Sequence, residues 1–200
     1  LRDITQSYQA ESELRQANEY LQKQVLEIKT LQVQLREQAM RDGLTGLFNR
    51  RYFDEIFPKE LIRATRDYER VALIIMDIDY FKNINDTFGH QAGDRVIQVF
   101  ADLLRNYSDC QNIVCRYGGE EFVLVLPGLI QEKAYQHAEQ IRLSFKAAQL
   151  EYGGKQIHTT VSGGVAVFPD HGKTTDELLQ VVDRALYAAK LHGRNCIKRV

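Results

Sequence analysis

Arg116-Tyr117-Gly118-Gly119-Glu120-Glu121-Phe122 sets two glycines and two carboxylates between two apolar stretches. Ile113, Val114 and Cys115 precede it and Val123, Leu124, Val125 and Leu126 follow, so the segment reads as a β-hairpin. A Gly-Gly pair supplies the positive φ angles that a two-residue hairpin turn demands. Such a turn puts Glu120 and Glu121 at the tip, where backbone approaches a phosphate without a side chain in the way. Two adjacent acids repel unless a cation lies between them. The segment therefore predicts a metal-dependent phosphate site, set against the plainer reading of a solvated turn.

Outward from the hairpin, Val71-Ala72-Leu73-Ile74-Ile75-Met76 is a continuous apolar run of strand length, as expected for a central strand covered on both faces. It ends in Asp77-Ile78-Asp79, acids placed where a buried strand reaches the surface. Helices are expected over about 50–68, 92–106, 131–149 and 175–192. Residues 157–168 are rich in β-branched side chains, with Gly163-Gly164 as a bulge or a close approach, and 196–200 suit an edge strand. Alternating strands and helices around a hairpin give an α+β fold, an α/β sandwich. Its central mixed sheet of five strands is flanked by helices.

Residues 7–40 contain neither Gly nor Pro and are rich in Gln, Glu, Leu and Arg, which predicts one long helix. Leu14, Leu21, Ile28 and Leu35 repeat every seven residues, with Asn18, Val25, Gln32 and Ala39 four residues after each. This heptad seam predicts a coiled-coil homodimer, with Asn18 and Gln32 fixing register. Leu26, Val33 and Met40 form a second row, which allows a register switch or simply a wide stripe. The expected organisation is a coiled-coil signalling helix over 1–41 and a catalytic domain over 42–200. The chain opens on Leu1 inside a polar helical pattern, and Leu1-Arg2-Asp3-Ile4-Thr5 resembles the end of a PAS sensor domain. Both lead to the expectation of a larger protein with a sensor upstream.

Composition narrows the partners. With 26 basic and 27 acidic residues in 200, the chain has no electrostatic footprint for nucleic acid. The 44% hydrophobic content allows a real core. Cys110, Cys115 and Cys196 form no metal pair and no even disulfide set, which favours a reducing cytoplasm. No apolar run approaches membrane-spanning length, although the full-length protein is left free to be membrane-attached.

If the strand ending at Asp77 lies beside the hairpin carrying Glu120, their carboxylates meet on one sheet edge as hard oxygen ligands suited to Mg²⁺, with Mn²⁺ as an alternative. Such ions neutralise a triphosphate and align an attacking hydroxyl. Lys82, five residues after Asp77, reaches the phosphates as a point charge. No Walker A loop occurs, so a nucleotide site here must be built from carboxylates and metal.

Gly118-Gly119-Glu120-Glu121-Phe122 is a form of the motif that names the GGDEF family, the diguanylate cyclases, and the resemblance extends over roughly 42–200. Residues 42–51 (Asp-Gly-Leu-Thr-Gly-Leu-Phe-Asn-Arg-Arg) resemble the family's opening motif, and 77–86, 88–90 and Gly93-Asp94 its nucleotide segment. Lys190-Leu191-His192-Gly193-Arg194-Asn195 is similar to its closing one. The resemblance implies condensation of two GTP into cyclic di-GMP and two pyrophosphates, between two subunits that face each other.

By motif position it implies metal binding by Asp77, the Ile78 carbonyl, Glu120 and Glu121. Glu120 is then also the base for the 3′-OH, and Lys82 stabilises transition-state charge. Lys190 and Arg194 hold phosphates, while Asn85 and Asp94 read guanine through donors that adenine lacks. Plainer roles compete: Asp94 as a helix cap, Lys82 as a surface lysine, Lys190 and Arg194 as charges on a helix C-terminus. Tyr187 and Leu186 read as core, and no histidine is assigned a catalytic role.

One departure stands out. The family's product-inhibition motif, Arg-x-x-Asp, falls here on Asp109-Cys110-Gln111-Asn112, without its arginine, so no tight feedback site of the usual kind is expected. Two other classes of function stay in view. One is a silent nucleotide-binding module, whose mark would be loss of Asp77, Glu120 or Lys82; the other is a dimerisation scaffold, which leaves the acid-bearing hairpin unexplained.

Overall fold

The computed structural model describes the backbone of residues 2–200 and the side chains of Arg15 and of residues 18–200. Leu14 of the first heptad row and the side chains of the 1–5 segment lie outside the described residues. The chain divides into two compact units, 1–40 and 41–200.

The first unit is helix α1 (Arg2–Ala39). Along it Leu21, Val25, Ile28 and Leu35 of the first row, and Leu26 and Val33 of the second, are each at least half exposed in the single chain. Met40, which ends the second row, is buried.

The second unit is built on β1 (Phe48–Asn49), β2 (Val71–Ile78), β3 (Ile113–Arg116), β4 (Glu121–Pro127), β5 (Leu150–Tyr152), β6 (Lys155–Ile157), β7 (Val161–Phe168) and β8 (Ile197–Arg199). Its helices are α2 (Arg50–Asp67), α3 (Phe81–Phe88), α4 (His90–Asn106), α5 (Gln131–Ala147) and α6 (Thr175–Leu191). The main sheet has six strands in the order β1-β3-β4-β2-β7-β8, not five. The extra strand is β1, two residues long and parallel to β3, too short to leave a hydrophobic period in the sequence. The β-rich stretch from Ile157 divides, because β6 pairs with β5 in a separate ribbon and the sheet strand starts only at Val161.

Strand β2 is buried at all eight positions and runs antiparallel to both β4 and β7. Alternation along it feeds two cores. Ala72, Ile74 and Met76 pack with Phe100 of α4 and Ile141 and Phe145 of α5. Val71, Leu73 and Ile75 pack with Phe53, Phe57 and Leu61 of α2 and Leu178, Val182 and Leu186 of α6. The buried α2 residues recur at 53, 57, 61 and 64, the spacing of one helix face. Helix α2 starts on Asn49, whose side chain accepts from the Tyr52 N–H at 3.1 Å.

Gly163 and Gly164 make a close approach rather than a bulge, since the β2–β7 register passes through them unbroken. A Cβ on Gly164 would stand 2.3 Å from the Val182 carbonyl oxygen, so the missing side chain is what seats α6 on the sheet. Tyr187 corrects the sequence reading: it is 64% exposed, while Leu186 beside it is buried. One residue is a rotation of about 100° on a helix, and only Leu186 faces the sheet.

Candidate active site

The C-terminal end of β2 and the N-terminal end of β4 meet at one edge of the sheet, with Asp77 directly opposite Glu121. Cross-strand partners project to the same face, here the face that carries α6. From the end of α6, Lys190 Nζ comes within 2.8 Å of Asp77 Oδ2. Burial pushes the Asp77 carboxyl above the ordinary aspartate range; Lys190 opposes this, while Glu121 and Asp79 reinforce it. An anion site held partly unsatisfied by a lysine is a place where a stronger cation would be stabilised.

The hairpin differs from a two-residue turn. Tyr117 N–H and Gly118 N–H both donate to the Glu121 carbonyl, at 2.8 and 3.2 Å, so the reversal is spread over a longer loop. Neither Gly118 nor Gly119 takes a positive φ, because the longer loop does not need the mirror-image turn geometry. The smallness of Gly118 serves otherwise, since a Cβ there would come within 3.0 Å of Glu121 Oε2, whereas a Cβ on Gly119 would meet nothing within 4 Å. Glu121 is the first residue of β4 rather than part of the tip. Glu120 stays in the loop, and its carbonyl accepts from the Ile78 N–H at 3.3 Å.

The loop is braced from below by residues that the sequence reading left without a role. Arg116 donates to the Gly119 carbonyl at 3.1 and 2.8 Å and pairs with Asp42 at 3.1 Å. Asp42 in turn accepts from the Thr45 N–H and hydroxyl at 2.9 and 2.8 Å. Burial raises the Asp42 carboxyl, but the Thr45 hydrogen bonds and Arg116 outweigh it, leaving the group below its usual range. The signal for this brace was present, since Asp42 opens the first motif and Arg116 immediately precedes the hairpin.

Asp79 was also passed over. It is buried, and its carboxylate accepts from Thr160 Oγ1 at 2.6 Å, Ser162 Oγ at 2.7 Å and the Asn195 N–H at 3.0 Å. Asp79 therefore ties the end of β2 to β7 and to the segment after α6. That segment bends through left-handed conformations at Arg194 (φ 63°) and Asn195 (φ 48°). The Arg194 guanidinium lies 4.4 Å over the Tyr80 ring.

Across the edge, Lys82 is exposed on α3 and Asp94 is exposed on α4. Asp94 lies inside α4, which starts after Gly89, and so does not cap the helix. Asn85 Oδ1 is buried and has no hydrogen-bond partner. It lies against Gly93, where a Cβ would stand only 2.0 Å away. A buried acceptor without a donor is costly unless a ligand supplies one, and this one lies between α3 and α4. Thus Asp77, Glu121 and Lys190 are in one cluster, with Glu120 tied to Ile78. Neither Lys82 nor Asp94 has a hydrogen bond or ion pair to it among the described residues. Among the described residues no three His, Cys, Asp or Glu side chains form a ready-made metal cage. At the former Arg-x-x-Asp position, Asp109 Oδ1 accepts from the Gln111 and Asn112 N–H groups at 2.9 and 3.1 Å, closing its own turn.

A mixed sheet whose central strand and neighbouring hairpin present acids at one edge, beside a lysine and an unpartnered amide, defines a nucleotide-handling α+β domain. The family model described as "Diguanylate cyclase, GGDEF domain" matches residues 39–196, and the chain belongs to that family. It is 39% identical over 163 residues to the response regulator PleD of Caulobacter vibrioides, covering 80% of this chain and 36% of that protein. The chain thus spans about a third of that curated relative. Among solved structures, the coiled coil and GGDEF domain of DgcB from Caulobacter crescentus, in complex with c-di-GMP, aligns with a TM-score of 0.84 and 31% identity, over 94% of this chain and 98% of that one. The active GGEEF domain of a Vibrio cholerae diguanylate cyclase aligns with a TM-score of 0.71 and 34% identity, over 76% and 96%.

Proposed function

We propose that this chain condenses two GTP into cyclic di-GMP and two pyrophosphates, each subunit of a homodimer presenting one GTP to the other. The observation that carries this reading is the register of Asp77 against Glu121, with the Lys190 ammonium 2.8 Å from Asp77, an acid pair of which one member already holds a cation. The residues fit a divalent ion: Asp77, the Ile78 carbonyl, Glu120 and Glu121 would hold Mg²⁺, or Mn²⁺ in its place. Bound there, the ion would neutralise charge on the triphosphate. With Asp77 so engaged, Lys190 would be free to hold the phosphates together with Arg194. Glu120 takes the proton of the 3′-OH as that oxygen attacks the partner's α-phosphate, pyrophosphate leaves, and Lys82 offsets the developing charge. Guanine supplies the donors that Asn85 Oδ1 lacks, and Asp94 accepts from the same edge, so ATP is rejected.

The half-exposed apolar rows of α1 are the dimerisation surface, raising the effective concentration of one site for the other. No helix among the described residues is long and apolar enough to cross a membrane. A GTP substrate favours the cytoplasm, and the resemblance of residues 1–5 to the end of a PAS domain favours an upstream sensor. Without an arginine at position 109, feedback by product is weak. Mixing wild-type chain with Asp77→Asn tests the two-site requirement. Product formation should fall as the square of the wild-type fraction, whereas a linear fall would refute a site shared between subunits.

A further inference from the structure

The residues after β2 and those after α6 meet a second time, one step on from the Asp77–Lys190 contact. Tyr80 follows Asp77 by three residues, and Arg194 follows Lys190 by four. The Arg194 guanidinium lies 4.4 Å from the centroid of the Tyr80 ring and donates from Nη1 to the Tyr80 hydroxyl at 3.3 Å. Both residues hold left-handed backbone, at φ 56° and 63°, and so does Asn195 at 48°. Among the described residues Tyr68 is the only other non-glycine residue in that region. Bulky side chains seldom adopt it; where they do, the surroundings enforce it, and such positions gather at functional sites. Here the enforcing contacts are explicit. The Tyr80 carbonyl accepts from the Asn83 and Ile84 N–H groups at 2.9 and 3.3 Å, and the Arg194 N–H donates to the Ala189 carbonyl at 3.1 Å. Beside them the Asn195 N–H donates to Asp79 Oδ2 at 3.0 Å.

The two cations at this edge are held differently. Lys190 is paired with a carboxylate. Among the described residues Arg194 has no acid partner, and its side chain is held by the Tyr80 ring and hydroxyl alone. An aromatic ring attracts a cation through its quadrupole without neutralising it. Arg194 therefore keeps its charge and most of its five N–H donors for an incoming anion. We propose that Tyr80 is a positioning residue, which holds Arg194 ready for the triphosphate of the bound nucleotide. This role rests on the nucleotide reading of the site given above.

The test is calorimetric titration of the chain with 3′-deoxy-GTP and Mg²⁺, an analogue that lacks the attacking hydroxyl. Tyr80→Asn removes the ring, and asparagine tolerates left-handed backbone, so the fold is kept. Its affinity should fall about two- to fivefold, the range of a cation–ring contact at an exposed site. Tyr80→Phe, which keeps the ring, should recover most of that loss. In an Arg194→Ala background Tyr80→Asn should change nothing further, whereas a merely structural role of Tyr80 would still show. Unchanged affinity in Tyr80→Asn, an equal loss in Tyr80→Phe, or the same loss without Arg194 would each overturn the positioning role and leave the nucleotide site standing. A wild-type chain that does not bind the analogue would refute the nucleotide site, and the role with it. A chain that binds the analogue but makes no cyclic di-GMP from GTP would refute the cyclase reading alone.

Discussion

Replacing Gly93 by alanine probes the tightest contact of the proposed base pocket. The new Cβ would stand 2.0 Å from Asn85 Oδ1 and 3.0 Å from Phe81 Cζ, where ordinary contact begins at 3.4 Å. The Asn85 amide must retreat by about 1.4 Å, or α4 must shift away from α3 by a similar distance. Asn85 is a movable side chain, so the fold should lose only about 1 kcal/mol, at the low end for an added buried methyl. Function should suffer far more, because displacing a positioning group by about 1 Å lowers rates on the order of a hundredfold. The assay is steady-state turnover of GTP beside urea unfolding of the same preparation. The expected outcome is near-normal stability with turnover reduced at least tenfold, through KM, kcat or both. Turnover within twofold of wild type would refute the placement of guanine against Asn85. Reduced turnover with several kcal/mol of lost stability would refute the separation of site from scaffold.

The remaining predictions concern the supports of the site. Gly164→Ala should destabilise by about 1–3 kcal/mol in urea unfolding, since its Cβ would collide with the backbone of α6 at 2.3 Å; an unchanged midpoint would contradict the packing described. Asp42→Asn should remove about 1 kcal/mol at neutral pH, a value held down by the partial exposure of the Arg116 pair. Because the folded Asp42 carboxyl lies below its ordinary 3.8, its contribution is full above that value and disappears as pH falls through the lower folded one. The gap between wild type and Asp42→Asn should therefore close on acidification below pH 3.8, and a constant gap would refute the charge assignment. Cys115 is fully buried and its thiol is pushed up to about 12. At pH 8 a thiol reagent should label exposed Cys110 and leave Cys115 untouched until denaturant is added.

What the sequence disclosed follows from how local each feature is. The run from Val71 to Met76 announced a doubly covered strand because every position is apolar, and all eight residues of β2 are buried. The acids after it and the hairpin were legible for the same reason, as breaks in strong apolar patterns. Strand β1 was not, since two residues carry no period. The turn was misjudged because Gly-Gly permits a tight reversal without requiring one, and the Tyr117–Glu121 pairing that sets the loop length has no residue-type signal. Tyr187 was misplaced because a one-residue rotation on α6 is invisible until the sheet fixes which side is in. The contacts that assemble the site, Lys190 with Asp77 and Arg116 with Asp42, join residues 113 and 74 apart. Only folding, or a resemblance to a known family, brings such pairs together.

The central claim is tested most directly by incubating the purified chain with GTP and Mg²⁺ and separating the products chromatographically, with Glu120→Gln as control. The account predicts cyclic di-GMP and pyrophosphate from the wild-type chain and neither from the variant. Bound GTP that yields no product, or equal product from Glu120→Gln, would contradict it.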